Sequence, residues 1–367
     1  MWVVVISSFL AIVLAYLSKF KGKSHLFELG FILVTFVAAI HYNYGNDYMT
    51  YYDHWKELRL ERWSNILLGE TYWSVETGWA ILNKLFGFSG GFFVMVALLN
   101  IFQNYIYYYL IKQYVTPSYR WLAILIYLCT SGLYLLNFSM MRQGLAVALF
   151  VSAILLLINR KLLSAIIVLF IAINMHKTAI IGIPFLFLYF LPLKSTRTLS
   201  VIVASLGLML FFATSIASDL FNGLITSVEI LNQYENMGEG LVAEESLGLG
   251  FVLLHIPHIV FLYCLWSGEY FRNEKEKILT IVAFFDILII PFTYIGSAYM
   301  SRLGIYFLAF HVAVIPMLYS RLKKKEVRIG LTFIAVFIML YAYRGFFQTS
   351  YWRDTFGGPF HTVFSQL

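Results

Sequence analysis

Long apolar runs follow one another along most of this chain, and they constrain its fold more than any other feature. A membrane-spanning helix needs about 20 mostly apolar residues, and we identify twelve candidate runs, of which the sixth and seventh are short. They cover residues 2–19, 26–42, 90–111, 121–138, 142–158, 162–175, 178–193, 199–217, 248–266, 278–295, 303–319 and 329–347.

The composition agrees with a membrane protein. Hydrophobic residues make up 60% of the chain and charged residues only 12%, which is far outside the range of soluble domains. We therefore predict an all-α, polytopic integral membrane protein with about twelve transmembrane helices, folded as a single domain over residues 1–367. The net charge of +7 is dispersed over short connections, so it does not indicate a nucleic-acid partner.

Basic residues fall in every second connection between the apolar runs, and this pattern sets the predicted orientation. Because Lys and Arg gather on the cytoplasmic side, these connections are expected to be cytoplasmic and both termini extracytoplasmic. Three stretches outside the bilayer are then extracytoplasmic, namely 43–89, 218–247 and 348–367. The basic connections are Lys19/Lys21/Lys23, Lys112/Arg120, Arg160/Lys161, Lys194/Arg197, Arg272/Lys275/Lys277 and Arg321/Lys323/Lys324/Lys325/Arg328.

Three cations, Arg142, Lys177 and Arg302, stand near the start of apolar runs that all begin on the predicted outer face. Helix N-termini expose unpaired N–H groups that carry about half an elementary charge, so cations there favour an anion. A guanidinium offers bidentate donors to a phosphate, and Gln143 stands beside Arg142. The alternative for Arg142 is a side chain that reaches out to lipid phosphate.

Three residues on the same face are candidates for proton transfer. His176 adjoins Lys177 at the outer end of two runs, and an imidazole can take a proton near neutral pH. Asp47 and Glu76 are the acidic candidates. His176 could instead be a turn histidine satisfied by backbone, and either carboxylate could instead balance Arg142 or Arg302 in a structural ion pair.

The first outer stretch opens with a polar and aromatic segment at residues 42–52. Such a segment is typical of carbohydrate binding, although Tyr and Trp also populate membrane interfaces without a ligand. We include Tyr48, Tyr51, Tyr299 and Arg353 in the predicted substrate-binding set.

Familiar cofactor and metal motifs are missing from the sequence, which has no P-loop, no H-E-x-x-H and no close Asp-x-Asp pair. We therefore predict no cofactor and no metal. Cys129 and Cys264 lie inside predicted spans and are expected to pack in the core. Asp286 lies in the middle of a run and would be the central residue of a proton-coupled transporter.

Five short motifs, in this order and on one predicted face, resemble the EpsG family of bacterial exopolysaccharide polymerases, which is related to Wzy. They are Gly45-Asn46-Asp47-Tyr48, Glu76-Thr77-Gly78-Trp79, Met141-Arg142-Gln143-Gly144, His176-Lys177-Thr178-Ala179 and Ser301-Arg302. The resemblance runs from about residue 40 to the end, where Trp352-Arg353 and Pro359-Phe360 are similar to the family's closing aromatic segment. It implies a GT-C-like helical bundle.

The resemblance also implies a reaction. The growing glycan leaves its undecaprenyl diphosphate and joins a sugar hydroxyl of an incoming lipid-linked repeat unit, on the extracytoplasmic face of the bacterial cytoplasmic membrane. The three cations could stabilise the departing diphosphate. For the base, His176 is the first choice and Asp47 or Glu76 the second, although by the resemblance Asp47 has an equal claim. Direct displacement would invert the anomeric centre without a metal. The expected partners are the lipid-linked donor and acceptor, the bilayer, a chain-length regulator and a flippase.

Two functions of other classes compete with this one. A flippase or exporter of the same lipid-linked glycan would also need cations, aromatics and many helices, but its cations would be spread through a central cavity. A membrane O-acyltransferase acting on polysaccharide would need an acyl-donor path from the cytoplasm, and the short cytoplasmic connections carry no such motif.

Overall fold

The chain folds almost entirely into helices. The structure, a computed structural model, describes residues 1–71, 73, 75–130, 133–190, 196–212, 249–290, 298–322, 329, 332, 336, 340, 343, 344, 356 and 358–365. The predicted outer stretch 218–247, most of the twelfth run 329–347 and Arg353 lie outside these residues.

The α-helices follow the apolar runs, with three additional helices in the first outer stretch. They are α1 (Trp2–Leu17), α2 (His25–Ala39), α3 (Tyr48–Leu58), α4 (Trp63–Leu68), α5 (Thr77–Leu85), α6 (Gly91–Tyr114), α7 (Arg120–Cys129), α8 (Met141–Ile158), α9 (Leu162–Met175), α10 (Thr196–Phe212), α11 (Leu249–Ser267), α12 (Glu274–Phe284) and α13 (Ala298–Tyr319). Over its described residues, each of the first eleven predicted runs overlaps one of these helices or a 3-10 helix.

Two of the runs depart from regular α-helix. The fourth, predicted at 121–138, stops as an α-helix at Cys129, because Thr130 takes an extended conformation, and resumes as a 3-10 helix at Leu135–Phe138. The seventh forms a 3-10 helix, Lys177–Tyr189, with Pro184 inside it. Proline has no N–H to donate and its ring clashes with the preceding turn of an α-helix, which disfavours regular α-helix there.

The prediction of an all-α membrane protein is confirmed. Within the described part of the chain, three helices are long and apolar enough to cross a membrane, namely Gly91–Tyr114, Met141–Ile158 and Arg302–Tyr319, and several apolar helices are shorter. The count of about twelve spans stays a prediction, as does the orientation.

A small two-stranded sheet joins the end of α2 to the C-terminal region. His41–Tyr42 pairs antiparallel with His361–Thr362, with His41 opposite Thr362. Nearby, the hydroxyl of Tyr44 donates to the carbonyl of Phe356 at 3.0 Å. The amino group of Met1 donates to the carbonyl of Gly358 at 3.0 Å. Residues from both ends of the chain therefore meet beside the first outer stretch.

Aromatic packing around Phe150 holds the central helices together. The buried Phe150 ring of α8 makes an edge contact with Tyr306 of α13, with ring centroids 5.4 Å apart. It makes a second edge contact with Phe185 of the 3-10 helix Lys177–Tyr189, at 6.0 Å. A Cβ on Gly182 would lie 3.0 Å from the Phe150 ring, so glycine permits the close approach. These contacts pack α8, α13 and the 3-10 helix Lys177–Tyr189 against one another.

A buried ion pair joins the first turn of α12 to the end of α13. Arg321, just beyond α13, donates to both carboxylate oxygens of Glu276 in α12, at 2.7 and 2.6 Å. Glu276 also accepts the backbone N–H of Arg272 at 2.6 Å. Both side chains are largely buried, so the removal of one partner leaves a buried charge without compensation.

We predict that Glu276→Gln lowers the thermal stability of the detergent-purified protein, because Arg321 would lose a charged bidentate partner. The loss of one member of a buried pair costs about 3–5 kcal/mol. The control is Asp53→Asn, which breaks the exposed pair between Asp53 and Lys56 and should leave the melting temperature nearly unchanged. Equal shifts of the melting temperature for both variants would contradict a stabilising role of the pair between Glu276 and Arg321.

Candidate functional site

An ion pair between the first outer stretch and the start of α8 forms the centre of the site. Arg142, the second residue of α8, donates from Nη1 to Oε2 of Glu76 at 2.6 Å. The other carboxylate oxygen of Glu76 accepts the backbone N–H of Lys177 at 3.2 Å. Glu76 is only 6% exposed. One buried carboxylate therefore holds the outer stretch against two helix starts.

Gly78 allows α5 to pack closely enough on α9 for Glu76 to reach Arg142. It lies in the first turn of α5, and a Cβ at this position would come within 2.7 Å of the carbonyl oxygen of Asn174 in α9. Because a real Cβ cannot approach so closely, only glycine lets α5 pack directly on the end of α9. This contact brings the N-cap residue, Glu76, to Arg142.

The third cation is attached through the backbone of α13. The side-chain amide of Gln143 donates to the carbonyl oxygen of Arg302 at 2.7 Å, and Gln143 is buried. Gln143 therefore positions the turn that carries Arg302. The guanidinium of Arg302 is partly exposed and acts electrostatically on Asp47, Tyr51 and His176.

Asp47 faces this group of cations from the N-cap of α3. Burial raises the pKa of the Asp47 carboxyl above its ordinary value, while the positive charges of Arg302 and Arg142 lower it. The backbone N–H of Asp47 donates to Oγ of Ser139 at 3.4 Å. The five residues Asp47, Glu76, Arg142, Lys177 and Arg302 are called the charge cluster, and its three cations outnumber its two carboxylates.

Gly45 allows the loop that carries Asp47 to pack against Phe138 and Ser139, just before α8. Its φ is +136°, a conformation that favours glycine, and a Cβ would lie 2.2 Å from the carbonyl oxygen of Phe138. The same Cβ would lie 2.9 Å from Cα of Ser139. Only glycine therefore fits at this position.

His176 is a buried residue at the junction of α9 and the 3-10 helix. It is 5% exposed, and burial lowers the pKa of its imidazole to about 4, with Glu76 acting in the opposite direction. Its Nδ1 accepts the backbone N–H of Thr178 at 3.3 Å and lies 2.6 Å from the Thr178 hydroxyl. That hydroxyl lies 2.9 Å from the hydroxyl of Tyr306. The imidazole thus shapes the turn that presents Lys177.

The two predicted tyrosines of α3 lie in different surroundings. Tyr51 is nearly buried, with the guanidinium carbon of Arg142 5.7 Å from its ring centroid, and it packs on Trp79. Tyr48 is fully buried, and its hydroxyl donates to the carbonyl of His41 at 3.3 Å. Tyr51 therefore belongs to the site, whereas the Tyr48 ring packs in the aromatic core beneath α3.

The sequence interpretation assigned no role to three residues that lie at the site. Thr178 and Tyr306 form the hydroxyl chain from His176, and the spacing of Tyr306 four residues after Arg302 on one helix was the available signal. His54 is buried beside Trp73, at 4.4 Å between ring centroids, and burial together with Arg142 lowers the pKa of His54 to about 4. No spacing in the sequence pointed to His54.

Two predicted residues are not placed by the structure. Tyr299 lies in the first turn of α13, and its side chain is outside the described part of the structure, as is Arg353. Their substrate-binding roles stay predictions.

Among the described residues, a group with metal-ligand spacing lies elsewhere, at His258, Asp286 and His311.

A family model described as the EpsG family matches residues 24–356, most of the chain. The chain therefore belongs to the EpsG family, which confirms the resemblance seen in its motifs and extends it toward the N-terminus. Membership supports a role as a membrane-bound polysaccharide polymerase. No curated protein and no solved structure matches the chain significantly.

We predict that Gly45→Ala displaces Asp47 from the charge cluster, because the added Cβ would overlap the backbone of Phe138. Overpacking of this kind costs roughly 1–3 kcal/mol, so the melting temperature should fall. The matched control is Gly22→Ala, where φ is also positive, at +80°, but nothing lies within 4 Å of the new Cβ. If both variants melt alike, backbone strain and not the contact with Phe138 explains the effect.

Proposed function

We propose, from membership of the EpsG family and from the charge cluster, that the protein transfers a growing glycan from undecaprenyl diphosphate to a hydroxyl of an incoming lipid-linked repeat unit. The observation that carries this proposal is that the guanidinium groups of Arg142 and Arg302 and the backbone N–H of Lys177, from three separate segments, act on Glu76 and Asp47. Such a site suits a reaction in which a diphosphate departs from an uncharged sugar.

The cations have the chemistry that the leaving group requires. As the bond from the anomeric carbon to the diphosphate oxygen breaks, negative charge grows on that oxygen. Arg142 and Arg302 are only partly buried, so their guanidinium groups can meet a diphosphate at the surface of the site. Glu76 holds Arg142 in one orientation, so less side-chain freedom is lost when the anion binds.

Asp47 is the stronger candidate for the base. It takes the proton of the acceptor hydroxyl as the oxygen attacks the anomeric carbon, and undecaprenyl diphosphate leaves from the opposite face, so the reaction inverts that centre. Its raised pKa makes it a better proton acceptor than an ordinary aspartate, whereas Glu76 is occupied by Arg142 and the Lys177 N–H.

His176 serves as a positioning residue in this proposal. A base works best when its pKa is near the working pH, and burial places that of His176 at about 4. Its Nδ1 is engaged by Thr178, which is consistent with a structural role in the turn before Lys177. Tyr51 lines the site beside Arg142 and is proposed to contact the sugar.

The membrane setting of this reaction is also proposed. The site faces the exterior of the bacterial cytoplasmic membrane, and both substrates reach it from the bilayer by their lipid chains. A chain-length regulator and a flippase are the proposed partners. The reaction as written uses no cofactor, because the glycosyl diphosphate bond supplies the driving force.

The test is to incubate purified protein with a synthetic lipid-linked repeat unit in detergent. We expect a ladder of longer glycans together with free undecaprenyl diphosphate. Movement of the substrate across liposomes without bond formation would favour a flippase or exporter, and transfer of an acyl group would favour an O-acyltransferase. Either result would overturn the polymerase proposal.

In the same assay, Arg142→Ala and Arg302→Ala should each lower turnover by about 10²–10³-fold, the usual effect of removing one charge-stabilising donor. The control is Arg62→Ala, an exposed arginine in the first outer stretch that makes no contact with the charge cluster through its described hydrogen bonds. Its turnover should match that of the unmodified protein. Near-normal rates in both site variants would remove the cations from the reaction.

A pH profile tests the choice of base. The base acts when deprotonated, so kcat/KM should rise with pH through the raised pKa of Asp47 and then level off. Asp47→Asn should lower the rate by about 10²–10⁴-fold and abolish this rise. His176→Gln should keep the rise, whatever its effect on the plateau. The proposal fails if His176→Gln abolishes the rise and Asp47→Asn retains it.

A further inference from the structure

Three buried polar residues meet inside the bundle, away from the charge cluster. His258 comes from α11, Asp286 from the 3-10 helix Phe285–Leu288 that follows α12, and His311 from α13. All three are at most 5% exposed. Ionisable side chains within apolar helices are costly to bury and mark functional sites, so this convergence calls for a ligand or a partner.

The distances among the three residues suit a metal ion. One ligand atom from each residue lies within 4.8 Å of the other two. Nε2 of His258 lies 3.5 Å from Oδ2 of Asp286. A tetrahedral ion with bonds of about 2.0–2.1 Å places neighbouring ligand atoms about 3.3 Å apart, so small side-chain rotations close the set around an ion.

The ring of His311 makes the backbone hydrogen bond that is typical of a metal-binding histidine. Its Nε2 lies 3.0 Å from the backbone carbonyl oxygen of Ala283, to which it can only donate. Histidines that bind metals usually donate their second ring N–H to a carbonyl or carboxylate, which fixes the tautomer. In this tautomer Nδ1 carries the lone pair and is the ring nitrogen available to bind a cation.

The charge balance favours an ion over a simple pair. One imidazolium would be enough to neutralise Asp286, and the second imidazole would then keep only its hydrogen bond to the Ala283 carbonyl. A divalent cation uses both imidazoles and the carboxylate at once. Gly304 supports the arrangement, since a Cβ there would lie 3.3 Å from Oδ1 of Asp286 and crowd the carboxylate.

We propose that His258, Asp286 and His311 bind a divalent transition-metal ion, of which Zn²⁺ fits the nitrogen and oxygen ligands best. The ion ties α11 and the segment after α12 to α13, the helix that also carries Arg302. Since His311 follows Arg302 by nine residues, these two residues are about 13.5 Å apart along the helix axis, at about 1.5 Å per residue. The metal site is independent of the proposed polymerase reaction.

The experiment measures metal content and thermal stability, and needs no activity assay. The full chain is purified with a tag free of histidine, dialysed against Zn²⁺ and then against buffer, and its metal is measured by mass spectrometry. We expect about one Zn²⁺ per chain and a higher melting temperature with Zn²⁺ than after treatment with a chelator. This comparison uses the unmodified protein, so it does not depend on how any variant folds.

Variants locate the site. Asp286→Asn and His258→Gln should each lower bound Zn²⁺ at least tenfold and abolish the response of the melting temperature to Zn²⁺. His25→Gln, which removes an exposed histidine at the start of α2, should behave like the unmodified protein. The proposal is overturned if the unmodified protein retains no Zn²⁺, or if Asp286→Asn retains as much as His25→Gln.

Discussion

The ion pair between Glu76 and Arg142 is the contact on which the rest of the site depends. Its two residues lie 66 positions apart, and the pair draws the first outer stretch onto the start of α8 at 2.6 Å. The same carboxylate accepts the N–H of Lys177, so three segments share one buried anion. A buried charge needs a charged, hydrogen-bonded partner, and that requirement makes the arrangement specific.

Glycines allow these contacts where any side chain would prevent them. Gly78 admits α5 to the backbone of Asn174, and Gly45 lets the loop before α3 pass against Phe138. Both carry a carboxylate to the cations, Glu76 in one case and Asp47 in the other. The motifs quoted from the sequence thus combine chemical residues with the glycines that bring them into place.

The helix α13 contributes residues to two separate polar groups. Near its start, the charge of Arg302 acts on Asp47, and the side-chain amide of Gln143 donates to the backbone carbonyl of Arg302. Further along, His311 lies with His258 and Asp286, which are 53 and 25 residues before it in the chain. The second group was not visible as a metal site in the sequence because no short spacing joins its members. Tyr306, between the two, connects to His176 through Thr178.

The apolar runs by themselves determined the helices, because the length and hydrophobicity of a segment are local properties that each run carries alone. The motifs likewise identified the three cations and the family. Only the tertiary structure decided which acid holds Arg142, that Asp47 keeps a partly exposed carboxylate beside the cations, and that His176 is buried in a turn. Burial and ion pairing depend on residues distant in the chain. A linear pattern therefore placed His176 ahead of Asp47 and Glu76 as the base, without access to the burial that favours Asp47 in the proposed reaction.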